Sequence, residues 1–371
     1  MPAASSYESV RLLSLGPPSC TTGASSPDSS AGALHPSGTA YQPLPNTNTC
    51  HDITAYPALG LAAGACQGNG ILLDISDPVN PVRLDAVSDP NFFYWHSATL
   101  NNDGMKVIFT DEWGGGTSAR CRAADPVTGR PADQLNWGAD ALFDVVDGQM
   151  EFASYYKMPA VQTVQENCVA HNSSLVPVPG RDILVQAWYQ GGLSVIDFSD
   201  TANPVEIAYF DRGPINTPAP VPDTQTPPRI NLGGLWSTYW YNGTVFGSEI
   251  ARGFDAFGLK TSDQMSENEI GAASEVHMDE FNAQHQTPLT WAPSFNVAGS
   301  FFDQAVRSGA LSGKTHDKVA KSLQRAEQLA DKGETASAID LLNTAIRQLG
   351  DSGDQGELRQ ALQDLVGALN E

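Results

Sequence analysis

The sequence predicts a mainly β fold, a β-propeller built of four-stranded blades, followed by a small all-α domain. The 371 residues include 34 Gly and 25 Pro but only 17% charged residues, which is typical of a turn-rich β protein. A unit of two hairpins recurs between about residues 50 and 295, as in repeat architectures. After about residue 313, apolar residues fall at helical spacing.

The chain is predicted to contain four segments. Residues 1–48 are rich in Ser, Pro, Gly, Ala and Thr, and we expect an irregular leader there. Residues 49–295 form the predicted propeller, residues 296–312 a linker, and residues 313–371 a module of three helices.

The best-marked repeat in the propeller is an apolar strand that ends in Asp. Two clear copies read GILLDISDPVNPVRLDAV and GLSVIDFSDTANPVEIAYF, in which an Asp/Pro/Asn turn leads into a second strand. A looser copy reads ALFDVVDGQMEFASYY and a partial one RGFDAFGL. The Asp residues that mark the four copies are Asp74, Asp144, Asp197 and Asp255.

A hairpin precedes each copy. The four hairpins read CHDITAYPALGLAAGAC, YWHSATLNNDGMKVIFTDEW, VAHNSSLVPVPGRDILVQAW and LWSTYWYNGTVFGSEI. Polar turns such as NNDG, PGRD and NG separate two β-rich runs in these hairpins. Two strands plus two strands make a four-stranded blade, and repeated blades indicate a propeller.

The C-terminal segment shows three runs of apolar residues at helical spacing. Gly333 and Gly350 stand where helices are expected to stop. The periodic residues are Val319, Leu323, Ala326, Leu329, Ile339, Leu342, Ile346, Leu349, Leu358, Leu362, Leu365 and Leu369.

Charge and hydropathy exclude several classes of partner. Twenty Lys and Arg against 42 Asp and Glu give a net charge of −22, which repels phosphate backbones and argues against nucleic-acid binding. No apolar run is long enough for a transmembrane segment, and the start MPAASSYESVRLLSLGPPSC shows no signal peptide. No Walker or dinucleotide signature is present, so no nucleotide cofactor is expected.

Five cysteines precede residue 170, and none has a CxxC spacing. Aligning the hairpins by their turns sets Cys50 beside Cys66 and leaves Cys121 with Cys168 as a second pair, with Cys20 spare. Two disulfides would indicate an exported protein, whereas an odd count also suits an intracellular protein with inert thiols.

The repeat resembles the LVIVD-repeat propellers of bacteria, which are named for the strand seen here in ILLDISDP and SVIDFSD. The resemblance covers roughly residues 39–290 and includes TCHDITAYP, FYWHSATLNNDG, FTDEWGGG, ENCVAHNSS and FGSEIARG. It implies a secreted or cell-surface protein and an N-terminally longer chain with an export signal and further blades. The C-terminal module resembles the FIMAH-type helical modules of secreted bacterial proteins.

The hairpin alignment also predicts a metal site. It places His51, His96, His171 and Trp236 at the starts of the first strands. Cys66, Glu112, a position at or next to Ala187, and Glu249 fall near the ends of the second strands. Because paired antiparallel strands bring these positions together, His51, His96, Glu112, His171 and Glu249 are predicted to ring one mouth of the channel.

Imidazole and carboxylate ligands suit Cu, Mn, Fe or Zn as divalent ions, and no thiolate is available for a closed structural zinc site. The alternative is structural, because a buried His near the start of a strand can hydrogen-bond the next blade and lock the ring. The Trp at position 236 favours that alternative.

The leading functional hypothesis is therefore a binding or scaffold protein with a metal site at the channel mouth. Its partner would be a protein, a component of the cell envelope, or a small-molecule ligand. The alternative is a metal-dependent oxidoreductase or hydrolase that acts on a small molecule in the channel.

Overall fold

Four antiparallel sheets form a propeller ring, and helices follow them in the chain. The structure, a computed structural model, describes residues 50–160, 162–215 and 229–371. The predicted leader and Cys20 lie outside the described residues. The mainly β fold class and the helical C-terminal part are confirmed.

The first three blades have four strands each, paired in chain order. Blade 1 consists of β1 (Asp52–Tyr56), β2 (Leu61–Ala65), β3 (Gly70–Asp74) and β4 (Val82–Val87). Blade 2 consists of β5 (Trp95–Leu100), β6 (Lys106–Asp111), β7 (Asp140–Val146) and β8 (Gln149–Tyr156). Blade 3 consists of β9 (Ser173–Val176), β10 (Ile183–Ala187), β11 (Leu193–Asp197) and β12 (Val205–Phe210).

Blade 4 has three strands among the described residues rather than the predicted four. They are β13 (Leu235–Tyr241), β14 (Thr244–Glu249) and β15 (Gly253–Phe257). After β15 the chain enters a helix, because Ser266 and Glu269 form a capping box in which each side chain accepts the other residue's backbone N–H. In blade 4, a helix therefore begins at the place in the chain where the other three blades have their outer strand.

The helices are α1 (Glu267–Glu275), α2 (Phe295–Arg307), α3 (Gly313–Ala330), α4 (Thr335–Ile346) and α5 (Gly353–Leu369). Helix α2 occupies most of the predicted linker. It begins where the Ser294 hydroxyl accepts a hydrogen bond from the backbone N–H of Val297, at 3.0 Å. Its residues Ala298 and Ala305 lie in the same core as α3–α5, so four helices form the C-terminal unit. None of the described helices is long and apolar enough to cross a bilayer.

The first strands of neighbouring blades contact each other and line the centre of the ring. The Thr54 hydroxyl donates to the carbonyl oxygen of Ala98 at 2.7 Å, which joins blade 1 to blade 2. The backbone N–H of Trp240 donates to the Ser174 hydroxyl at 2.8 Å, which joins blade 4 to blade 3.

Apolar side chains fill the spaces between the outer parts of the blades. Leu72 of blade 1 shares a core with Trp95 and Phe109 of blade 2. Val185 of blade 3 shares another core with Trp240 of blade 4. Burying aromatic rings between sheets in this way supplies most of the driving force for assembling a propeller.

Residues 276–294 connect α1 to α2 and are called the crossing segment here. The backbone N–H of Ala55 in blade 1 donates to the carbonyl of Gln284 at 2.9 Å, and that of Gln286 donates to the Ala55 carbonyl at 2.8 Å. In blade 4, the Asn242 side chain makes two hydrogen bonds with the backbone of Met278. The crossing segment therefore ties the last blade to the first.

Candidate metal centre

A column of aromatic rings, one from each blade, stands at one mouth of the channel. The ring centroids of His51 and His96 are 4.2 Å apart, those of His96 and His171 4.0 Å, and those of His171 and Trp236 4.5 Å. The structure thus brings together the four residues that the hairpin alignment placed at corresponding positions.

The strand order explains this convergence. His51 directly precedes β1, His96 is the second residue of β5, and His171 stands two residues before β9. All three positions are at the starts of the first strands, which lie nearest to the centre of the ring.

Two of the imidazoles are oriented by the next blade. Nδ1 of His51 lies 3.1 Å from the carbonyl oxygen of His96, and Nδ1 of His171 bonds to the carbonyl oxygen of Trp236. A carbonyl oxygen only accepts, so Nδ1 carries the proton in both rings and Nε2 carries the lone pair. This is the usual arrangement of a metal-binding histidine, whose other nitrogen donates to a fixed acceptor.

Glu112 faces the histidines from the end of β6. Its carboxylate oxygens lie 3.6 Å from Nε2 of His96 and 3.7 Å from Nε2 of His171. Gly114 and Gly115 follow in the left-handed region, at φ 68° and 73°, which lets the chain turn sharply after Glu112.

The candidate ligand atoms of His51, His96 and Glu112 all lie within 4.8 Å of one another. His51 is exposed, Glu112 is half-buried and His96 is buried, so the cluster opens to solvent at His51. Nδ1 of His96 and Nε2 of His171 are buried nitrogens without a hydrogen-bond partner in the described structure. Such atoms are rare in folded proteins and call for a partner.

Tyr189 joins the cluster from blade 3. Its hydroxyl donates a hydrogen bond to Glu112, and its ring meets that of His171 edge-on at 5.0 Å. Reciprocal backbone hydrogen bonds to Leu235 of blade 4 hold it in place. The hairpin alignment marked only a position at or next to Ala187 in this blade. The signal in the sequence for the tight turn that contains Tyr189, between β10 and β11, is the Gly191–Gly192 pair at its end.

Burial sets the protonation states of the cluster. It lowers the pKa of His171 to about 3. Burial, together with the nearby His171 and His51, lowers the pKa of His96 well below its usual value. Burial raises the pKa of Glu112, and the hydrogen bond from Tyr189 lowers it by a smaller amount. His96 and His171 are therefore neutral near pH 7, the form that binds metals.

Glu249 differs from the other predicted ligands. Its carboxylate accepts hydrogen bonds from the backbone N–H groups of Gly234 at 2.7 Å, Ala251 at 2.9 Å and Arg252. It is not part of the cluster that the structure brings together. Its Oε2 accepts from the Ala251 and Arg252 N–H groups of the β14–β15 turn, and its Oε1 accepts from Gly234, just before β13.

The four paired cysteines form the two predicted disulfides, Cys50–Cys66 and Cys121–Cys168. The first closes the hairpin that carries His51. The second joins the loop after Glu112 to the segment that leads to His171, so both bridges lie near residues of the cluster.

Comparisons with known proteins do not extend these observations to a function. No family and no curated protein matches the sequence. A crystal structure of a protein from Lactobacillus plantarum matches with a TM-score of 0.38 and 12% identity over 57% of this chain and 54% of that one. The chain thus spans about half of that protein.

Two further structures are similar at the same level. The computationally designed protein Ika4 matches with a TM-score of 0.33 and 9% identity over 60% of this chain and 99% of that one. A putative 6-phosphogluconolactonase from Bacteroides uniformis matches with a TM-score of 0.34 and 10% identity over 54% of this chain and 47% of that one.

Proposed function

We propose that this protein is an exported or cell-surface propeller that binds one divalent transition metal at the channel mouth. The ligands are Nε2 of His51, His96 and His171 and the carboxylate of Glu112. The observation that carries the proposal is the anchoring of Nδ1 of His51 and His171 on backbone carbonyls, beside a carboxylate that lies 3.6 Å from His96 and 3.7 Å from His171.

Three imidazoles and one carboxylate suit Zn, Mn, Fe or Cu, and the exposed side at His51 leaves room for a further ligand. As a binding or scaffold protein, the propeller would use the ion to fasten blades 1, 2 and 3 around the channel. His51 and His171 also lock the blades through Nδ1, so in these two rings the structural and metal-binding roles use different nitrogens.

An exported location rests on the two disulfides, which persist in oxidising compartments, and on the LVIVD-type repeat of apolar strand and Asp. The C-terminal helices, which resemble the FIMAH type, would then serve attachment to a protein or envelope partner.

A second candidate is a metal-dependent oxidoreductase or hydrolase. It is favoured by the opening of the cluster to solvent at His51 and by the raised pKa of Glu112, which suits a group that takes up and releases a proton. Such an enzyme would lose activity on chelation and regain it with one particular metal.

The deciding experiment is to measure metal content by elemental mass spectrometry and affinity by titration with Zn²⁺, Cu²⁺, Mn²⁺ and Fe²⁺. We expect about one ion per chain, lost in the His96→Ala/His171→Ala double variant. Glu112→Gln keeps both blade-locking hydrogen bonds and should still weaken binding. The matched control is His277→Ala/His316→Ala, which removes two histidines outside the cluster.

The proposal fails if the wild-type protein binds none of these ions more tightly than the double variant does. A double variant that is less stable, in a protein that never holds metal, would assign the histidines to blade locking alone.

A further inference from the structure

A second cavity lies between the crossing segment and the inner strands, two to three residues along the first strands from His96 and His171. It has a volume of about 270 Å³. Its floor is formed by β5 and β9, and its wall by residues 278–289. This size is near the lower end of small-molecule sites.

The floor presents three hydroxyl groups that are almost completely buried, those of Thr99, Ser173 and Ser174. The Thr99 and Ser173 hydroxyls are 3.0 Å apart and share one hydrogen bond, so one of their two protons remains to be donated. The Ser174 hydroxyl accepts from Trp240 N–H, and its own proton has no acceptor among the described residues. Residues that line the cavity thus offer two hydroxyl protons and several lone pairs.

The rest of the lining combines apolar side chains with the polar residues Glu280, Asn282, His285, Gln286 and Thr287. Leu175 comes from the floor, and Met278, Phe281 and Leu289 come from the crossing segment. The Phe281 ring is fixed by packing on Tyr239, with ring centroids 5.2 Å apart. Apolar side chains combined with convergent polar groups are the usual composition of a small-molecule site.

The charges around the cavity limit the class of ligand that it can bind. Among the described residues, the lining includes Glu280 and His285 but no Lys or Arg, and the whole chain carries a net charge of −22. An anionic ligand would be repelled by Glu280 and by the net charge of the chain, and would meet no Lys or Arg. A neutral ligand whose hydroxyls both donate and accept would match the Ser and Thr hydroxyls, which do the same.

We propose that this cavity binds a neutral, polyhydroxylated ring of monosaccharide size. The ring's hydroxyls bond to Thr99, Ser173 and Ser174, and its apolar face packs on Phe281. The site is independent of the metal centre, and chelated protein binds the sugar equally well.

The test is saturation-transfer NMR and calorimetric titration of the full chain with D-glucose, D-galactose and N-acetyl-D-glucosamine. D-Glucuronate and cyclohexanol serve as the charged and the hydroxyl-poor probes. We expect at least one neutral sugar to bind at millimolar concentration, and the two other probes to bind more weakly.

Variants locate the binding. Thr99→Val removes one floor hydroxyl with little change of shape and should weaken sugar binding about fivefold, the typical loss for one hydrogen bond. Ala283→Leu fills the cavity from the crossing segment and should abolish binding. The matched controls are Thr290→Val and Ala292→Leu, exposed positions of the same segment outside the cavity. Circular dichroism confirms that each variant is folded, and Thr99→Val carries the test if Ala283→Leu does not fold.

The proposal is overturned if none of the three sugars binds, or if cyclohexanol or D-glucuronate binds as tightly as they do. It is equally overturned if folded Thr99→Val and Ala283→Leu bind the sugar with wild-type affinity.

Discussion

The backbone of Tyr189 is in the left-handed region, a conformation that residues with bulky side chains rarely adopt. Its φ is 51°, and its side chain is fully buried between Glu112 and His171. Such strained backbone persists only where neighbouring structure imposes it. Here the reciprocal hydrogen bonds to Leu235 impose it and aim the phenol at Glu112.

Replacing Tyr189 with Phe removes the hydrogen bond to Glu112 and keeps the ring packing. Because partners of metal ligands typically contribute 10- to 100-fold in affinity, we expect Tyr189→Phe to weaken metal binding by about tenfold or more. Competition titration against a chelator measures this. Tyr209→Phe, at a residue that is 73% exposed, should bind like wild type, and equal affinities of the two variants would contradict a positioning role.

The site could be predicted from the sequence to the extent that the hairpins repeat. The alignment placed His51, His96, His171 and Glu112 at one mouth, and the structure brings them together because strand starts and strand ends keep their positions in the first three blades. The structure places Glu249 outside the cluster, because it pairs with Leu235 just as Asp111 pairs with Trp95. Glu249 thus corresponds to Asp111, one residue before Glu112, and a shift of one residue along a strand reverses the face of the side chain.

At the scale of elements, the crossing segment replaces some of the contacts that a sheet would supply. The Gln286 side chain accepts from the backbone N–H of Leu100 and donates to its carbonyl oxygen, both at 2.8 Å. It thereby pairs both backbone groups of Leu100 at the end of β5, as a neighbouring strand would.

Gln286→Ala would leave both backbone groups of the buried Leu100 unpaired. We therefore expect a loss of about 1–3 kcal/mol in the free energy of unfolding, the typical cost of unsatisfied buried groups. Urea denaturation measures it. The neighbouring Gln284→Ala is the control, because Gln284 is exposed and pairs with blade 1 through its backbone; equal losses would refute the role of the Gln286 side chain.

Glu269 connects three elements around one fully buried carboxylate. It accepts hydrogen bonds from Arg181 of the β9–β10 turn at 2.8 Å and from Arg307 of α2 at 2.9 and 2.5 Å. Burial raises the pKa of Glu269, but the hydrogen bonds from Arg307 and Ser266 and the charge of Arg181 outweigh it, so the pKa lies below its usual value.

A lowered pKa means that ionised Glu269 stabilises the folded state above the pKa of the unfolded chain, and that this stabilisation is lost as the pH falls through the folded-state pKa. We expect Glu269→Gln to cost about 3–5 kcal/mol at pH 7, as for other broken buried ion pairs. The difference from wild type should shrink on acidification. Denaturation at several pH values checks this against Glu267→Gln, an exposed residue of the same helix.

At the scale of the whole molecule, the propeller was predictable because each blade repeats the same local signals of apolar strand, Asp and polar turn. The structure differs from the prediction at two places, the outer strand of blade 4 and the linker at residues 296–312. A capping box starts α1 after β15, and the amphipathic run FNVAGSFFDQAVR packs α2 into the helical core. The starts of α1 and α2 depend on tertiary packing and on short helix-start signals. These signals are weaker in the sequence than the repeat pattern, which predicts a further strand and a linker instead.

The two disulfides should differ in their effect on stability. They span 16 and 47 residues. If each acts by restricting the unfolded chain, removing Cys50–Cys66 costs about 3 kcal/mol and removing Cys121–Cys168 about 4 kcal/mol. Thermal and urea unfolding of the two Cys→Ser pairs tests this order. A larger loss for Cys50–Cys66 would show that local packing around it outweighs chain entropy.

The column of imidazoles also constrains when an ion can be captured. His51, His96 and His171 belong to three separate hairpins, so an unfolded chain does not hold them together. A chain that crosses a membrane before it folds cannot carry the ion with it. The metal would have to come from the medium in which the ring is finally assembled, and its supply there would decide which ion the protein holds.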